Sequence, residues 1–178
     1  RYKVQVRSQV DPGSFVPVDW PATKPGDWIA ETLTAGVVGF DPWLHTRSEV
    51  SALRKTMAAA GIELRATDNL VDRAWTDRPA PPRGKARAHP DTLAGRSSAE
   101  KRADLAETLR SAGHRAAALT LPESICWLLN LRGSDIPRVP VMQSFAVLHD
   151  DGRVDLFADA AKLADVALDD GVERHDPH

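Results

Sequence analysis

The sequence predicts an α/β fold in two units, with mixed sheets flanked by helices. Three observations carry that expectation. Two stretches, about fifty residues apart, share a pattern of helix-capping box, apolar helical stripe, glycine and short apolar strand. Asp150-Asp151-Gly152 separates two apolar runs and marks an antiparallel hairpin, which makes the second sheet mixed rather than all-parallel. A segment rich in proline and basic residues, Arg78 to Arg87, divides the chain between the two halves.

Taken in order, Tyr2-Lys3-Val4-Gln5-Val6 alternates polar and β-branched residues and reads as a short strand. Asp11-Pro12-Gly13 ends it, and Pro17, Pro21 and Pro25 keep the following stretch irregular. A short helix is expected across Asp27 to Leu33, then a strand at Gly36 to Phe40 closed by Asp41-Pro42. Thr46 and Glu49 form a T-x-x-E capping box, Val50, Leu53 and Met57 follow at helical spacing, and Gly61 stands where a left-handed cap is wanted. Ile62-Glu63-Leu64 begins the next strand. Ser97 and Glu100 repeat the box, Leu105, Ala106 and Leu109 form the stripe, and Gly113 precedes a strand at Ala116 to Thr120. A helix at about 122–130, strands at 141–148 and 153–157, a helix from Lys162 to Leu168 and a strand from Gly171 to Arg174 complete the reading. The repeated unit is only weak evidence for a duplicated fold, since any α/β protein uses such units.

Composition narrows the possible functions. The chain has 178 residues, with 23 Lys+Arg against 25 Asp+Glu, a formal charge of −2 and one cysteine. Near-neutral charge gives no general attraction to nucleic acid or anionic membrane, so neither is expected as a partner. With one cysteine no internal disulfide forms, and a cytoplasmic setting is the plain expectation. No apolar run is long enough for a membrane span.

The search for chemistry finds little. No H-E-x-x-H, C-x-x-C pair, G-x-G-x-x-G or phosphate-binding loop occurs, and Gly133-Ser134 lacks the context of a nucleophile elbow. His149-Asp150-Asp151 is the best local cluster but sits on the hairpin tip, where solvation explains it. His175 and His178 flank a proline and carry no better prospect. Cys126 lies among Ile125, Trp127, Leu128 and Leu129 and reads as a packed small hydrophobe. Trp43 and Trp75 read as anchors that pack loops on the core. The segment from Arg78 to Arg87 reads as a solvated connection that buries nothing. One loop stands out: Asn130, Arg132, Ser134 and Asp135, with Gly133 among them, follow an apolar helix directly. Arg132 and Asp135 are close enough in sequence to pair, and the loop is either a rigid joint or a surface offered to another domain or to substrate.

At this loop the chain resembles a known family. Leu121-Pro-Glu-Ser-Ile-Cys-Trp-Leu-Leu-Asn-Leu-Arg-Gly-Ser-Asp-Ile-Pro137 is similar to the second domain of three-domain Xaa-Pro aminopeptidases, of the creatinase–prolidase superfamily. Asn69 to Pro79, Val38 to His45, and Arg1-Tyr2 with Gln5 and Gln9-Val10-Asp11 match the same family's first domain and junction, in order along the chain. The resemblance implies a creatinase N-terminal fold: the end of domain I over 1–76, a linker over 77–94 and domain II over 95–178. The first unit is then truncated on its N-side, its sheet short of strands and open on an edge or apolar face.

The same resemblance implies a metallopeptidase that removes an N-terminal residue preceding proline. It uses two metal ions, usually manganese, held by Asp, Asp, His, Glu and Glu in a C-terminal pita-bread domain, and none of those ligands can be placed here. This chain is then noncatalytic, shaping access to the active site and contributing to homodimer contacts. Its partners are its own pita-bread domain and peptides with Xaa-Pro N-termini. Arg1 matches the end of a T-D-G-R-Y motif whose arginine reaches substrate, although the preceding Thr-Asp-Gly is absent. Asn130, Arg132, Ser134 and Asp135 are the residues expected to face another domain or the active site. A prolidase- or creatinase-like hydrolase, and a dimerisation scaffold without a catalytic domain, are the alternatives.

Overall fold

A computed structural model describes residues 2–177; Arg1 and His178, both singled out in the sequence, lie outside the described residues. The chain divides into two units, Arg1–Arg78 and Pro79–His178.

The first unit contains α1 (Tyr2–Gln9), α2 (Pro25–Thr32), β1 (Gly36–Phe40), a 3-10 turn over Pro42–Leu44, α3 (Arg47–Ala59), β2 (Ile62–Ala66) and α4 (Leu70–Ala74). β1 and β2 are parallel in a two-stranded sheet, with Val38 beside Leu64, and α3 is the crossover between them. The capping box of α3 is formed as expected: Thr46 Oγ1 accepts from the Glu49 amide, and the Glu49 carboxylate accepts from the Thr46 amide at 2.7 Å. Gly61 follows at φ 72°, a conformation costly for any residue with a Cβ.

Tyr2 to Gln9 corrects the expected strand. A strand needs a neighbour to satisfy its amides, and among the described residues none is provided; a helix meets them within the segment itself. Burial in this unit is sparse. Met57, Ile62 and Leu64 are its buried hydrophobic side chains, while Phe15, Val16, Trp20, Val37, Leu44 and Leu70 are exposed. The anchor reading of Trp43 and Trp75 is also corrected: they are 76% and 49% exposed.

The second unit holds the core. It comprises β3 (Arg87–Ala88), α5 (Asp91–Ala94), α6 (Ser98–Ser111), β4 (Ala116–Leu119), α7 (Pro122–Leu128), β5 (Leu131–Arg132), β6 (Phe145–His149), β7 (Val154–Phe157), a 3-10 turn at Ala160–Leu163 and β8 (Val172–His175). Its main sheet runs β4-β6-β7-β8, antiparallel at the first two joins and parallel at the last, so the mixed sheet is found. Asp150-Asp151-Gly152 makes the β6–β7 hairpin, with Gly152 at φ 86°. Ala146, Leu148, Val154 and Leu156 point to the buried face and meet Ile125, Leu128 and Met142 in one cluster. The helix expected over 162–168 is reduced to the short 3-10 turn, and the strand expected from 141 begins at Phe145.

Two expectations fail here: long charged side chains of α6 reach buried partners, and backbone bonds draw the proline-rich segment into the second unit. In α6 the buried face is Ser98, Lys101, Arg102 and Ala106, whereas Leu105 is exposed. Arg102 donates to the carbonyls of Gly152 and Asp170, both at 2.9 Å, and so ties the hairpin tip to the loop before β8. The proline-rich segment likewise buries Ala86, whose amide donates to the Lys162 carbonyl at 2.7 Å, and Arg87–Ala88 pairs with β5. It belongs to the second unit's framework rather than to a solvated connection.

Candidate functional site

The loop after α7 begins at Asn130, which takes a left-handed backbone at φ 49°, tolerated by asparagine. Its side-chain oxygen accepts from Lys101 Nζ at 2.5 Å, and its amide donates to Asp91 Oδ1 and to the Arg96 carbonyl. The Lys101 ammonium also donates to the Trp127 carbonyl and lies 4.6 Å from the Trp127 ring centroid. Burial pulls the Lys101 pKa below its ordinary value, opposed by the charge of Asp91.

Asp135 is the second fixed point. Its side chain is fully buried and accepts from the Gly84 amide at 2.8 Å, the Gln143 amide at 2.7 Å and Lys162 Nζ at 2.8 Å. The pairing expected with Arg132 does not form: Arg132 turns to His89, with its Nε 3.2 Å from the imidazole. Ser134 Oγ donates to the Lys85 carbonyl at 3.0 Å. Between them the backbone passes so closely that a Cβ on Gly133 would stand 2.4 Å from the Met142 nitrogen, and one on Gly84 2.4 Å from the Ser134 carbonyl carbon. Three stretches distant in sequence, 84–89, 141–143 and 162, are thus knotted to this loop. Among the described residues no buried side-chain nitrogen or oxygen lacks a partner, the signature of a framework with its polar groups committed.

Cys126 behaves as expected: buried, it accepts from the Met142 amide at 3.3 Å, and burial pushes its thiol pKa up, away from a nucleophilic thiolate. In the first unit Asn69 caps α4 through Val71 and donates to Asp41 Oδ2 at 2.8 Å, fixing the start of the junction segment. An open cleft of 760 Å³ in the second unit is bordered by Pro82, Pro122, Phe145, Phe157 and Lys162.

Sequence reading missed two sets of residues. Lys101 and Lys162 are buried, though a lysine in a helix or loop carries no local sign of burial. Asp155 joins His149 and His175, which the sequence had set aside separately. Its carboxylate oxygens lie 2.7 Å from His149 Nε2 and 3.2 Å from His175 Nε2. The hydrogen bond from His149 holds the Asp155 carboxyl below its usual range, with a further contribution from His175 and burial opposing. Glu173 stands beside Asp155 in the β7–β8 register, and Asp155, Glu173 and His175 are the one described group whose donors approach a common point. Three donors cannot make the five-ligand dinuclear centre that the resemblance implies, and no step of hydrolysis is assigned to this chain.

Residues 77–178 match the Creatinase/Prolidase N-terminal domain. The chain belongs to that family. Curated relatives of this creatinase/prolidase N-terminal chain include the probable Xaa-Pro aminopeptidase P of Neosartorya fischeri, 37% identical over 92% of this chain and 26% of the relative. That of Aspergillus flavus is 39% identical with the same coverage, and that of Coccidioides posadasii is 41% identical over 77% of this chain and 23% of the relative. The chain therefore spans about a quarter of the length of these relatives. Among solved structures it is similar to the X-prolyl aminopeptidase of Caenorhabditis elegans, described as a cytosolic enzyme with a di-nuclear active site. The TM-score is 0.85 at 31% identity, covering 99% of this chain and 30% of that one. The resemblance seen in Leu121–Pro137 is supported by all three comparisons. No helix of the described residues is long and apolar enough to cross a membrane.

Proposed function

We propose that this chain is the noncatalytic N-terminal and middle region of an Xaa-Pro aminopeptidase. The whole enzyme removes the N-terminal residue before proline with two metal ions, expected to be manganese, in a pita-bread domain to which this chain is joined. The observation that carries the reading is the likeness to the X-prolyl aminopeptidase of Caenorhabditis elegans over 99% of this chain.

In this reading the region limits which peptides reach the metals, contributes to a homodimer and works in the cytoplasm. Domain I covers 1–76 and domain II covers 95–178, with residues 77–94 leading from the first and packing with the second. Asn130, Ser134 and Asp135 hold the loop's shape from within, which leaves Arg132 and the turn at 136–139 as the part offered to another domain. Arg1 is assigned to substrate binding on the resemblance alone.

The test is hydrolysis of an Xaa-Pro peptide with added manganese. The 178 residues alone are expected to be inactive, and the product of the gene read on past residue 178 is expected to cleave. Cleavage by the 178 residues alone overturns the noncatalytic assignment. An extended product that binds metal but leaves Xaa-Pro peptides intact overturns the substrate.

A further inference from the structure

We propose that Asp155, Glu173 and His175 form a mononuclear binding site for a divalent transition-metal ion, of the zinc class, on the open face of the β4-β6-β7-β8 sheet. The site follows from register. β7 and β8 run parallel with Asp155 beside Glu173 and Phe157 beside His175. Side chains alternate along a strand, so Asp155, Phe157, Glu173 and His175 share one face, while Val154 and Leu156 turn to the core. α6 and α7 pack on that core face, which leaves the other open.

Two carboxylates in directly neighbouring positions on one face repel, a cost that a bound cation relieves. The guanidinium of Arg153, just before β7, acts on both carboxylates only from a distance, because it is itself bonded to Asp151 at 2.7 Å. A divalent ion satisfies both carboxylates and takes a histidine nitrogen as well.

The ligand atoms of Asp155, Glu173 and His175 already lie within 4.8 Å of one another. Donors around a tetrahedral ion stand about 3.4 Å apart, a separation that the exposed Glu173 side chain reaches by rotation. The other two donors are held in place. The ring of Phe157 lies 5.3 Å from that of His175, tilted by 31°. His149 lies 2.7 Å from the other Asp155 oxygen and orients the carboxylate, as groups behind a metal ligand commonly do. One nitrogen and two carboxylate oxygens favour zinc or cobalt over magnesium or calcium, and leave a fourth position for water.

The test is equilibrium dialysis of the purified chain against Zn²⁺ at neutral pH, with Co²⁺ visible absorption as a second readout. One ion per chain is expected. Asp155→Asn, Glu173→Gln and His175→Ala should each weaken binding by about tenfold or more, and His149→Ala by about tenfold through loss of orientation. His45→Ala and His114→Ala should leave binding unchanged, with circular dichroism confirming the fold of every variant. Where a variant loses its fold, the nitrogen resonances of His175 in the unsubstituted chain decide, since Zn²⁺ must shift them. Absence of stoichiometric uptake, unchanged uptake in the Asp155→Asn/His175→Ala double variant, or unmoved His175 resonances each overturn the site.

Discussion

Asp135 accepts three hydrogen bonds in a place closed to water, one of them from the equally buried Lys162. Removing one member of such a pair strands the other, so Asp135→Ala should cost about 3–5 kcal/mol, read from urea denaturation. Asp135→Asn keeps part of the hydrogen bonding and should cost less; equal losses would show that the ion pair is not what holds the loop. The sequence marked this residue as unusual but supplied the wrong partner, because Arg132 is three positions away and Lys162 is twenty-seven. Adjacency is visible in a sequence, whereas the reach of a buried lysine is not. Glu100 was more legible, since its role is local. The Ser97 hydroxyl and amide bond its carboxylate and lower its pKa. A depressed carboxylate stabilises the fold above the ordinary value of about 4.3 and loses that contribution as pH falls through its lowered folded value. Glu100→Gln should therefore flatten the acid limb of stability against pH, and an unchanged limb would exclude the cap as a contributor.

Both helix–glycine–strand elements were predicted from caps and spacing, and both form with the same geometry. Gly61 and Gly113 each stand at φ 72°, and no atom lies closer than 3.8 Å to a Cβ built on either. Gly61→Ala and Gly113→Ala should each cost about 1 kcal/mol, a purely backbone penalty. Gly133→Ala meets the Val141–Met142 backbone instead and should cost about 3 kcal/mol or more. Denaturation midpoints of the three variants check the ranking, and a Gly133→Ala variant as stable as Gly113→Ala would refute the close approach. The two elements differ in company: β2 lies parallel to β1, and β4 antiparallel to β6. Nothing local encodes that choice, for a strand's partner is set by the whole sheet. The same limit explains Tyr2 to Gln9, where alternation suggested a strand and the lack of a described neighbour favoured a helix.

At the scale of the molecule, the buried apolar side chains are divided unequally. The first unit buries Met57, Ile62 and Leu64, and among the described residues every other buried apolar side chain belongs to the second. Hydrogen exchange should reflect this, with amides of β6 and β7 protected far longer than those of β1 and β2. Residues 79–178 produced alone should unfold cooperatively; a molten, non-cooperative product would mean that the second unit depends on the first. The separation into two units was legible because the capping boxes and the proline-rich segment are sequence-local. Its position was not, because Ala86 and Arg87 enter the second unit through bonds to Lys162 and Arg132.

The exposure of the tryptophans has an optical consequence. Trp20, Trp28, Trp43 and Trp75 fall in the first unit and Trp127 alone in the second, and all five are at least 48% exposed. Native emission should be red-shifted and move little on unfolding, so total fluorescence is a poor reporter of this protein's folding. A chain with phenylalanine at the first four positions would emit from Trp127 only. Because the Lys101 ammonium sits over that ring, its signal would follow the second unit by itself.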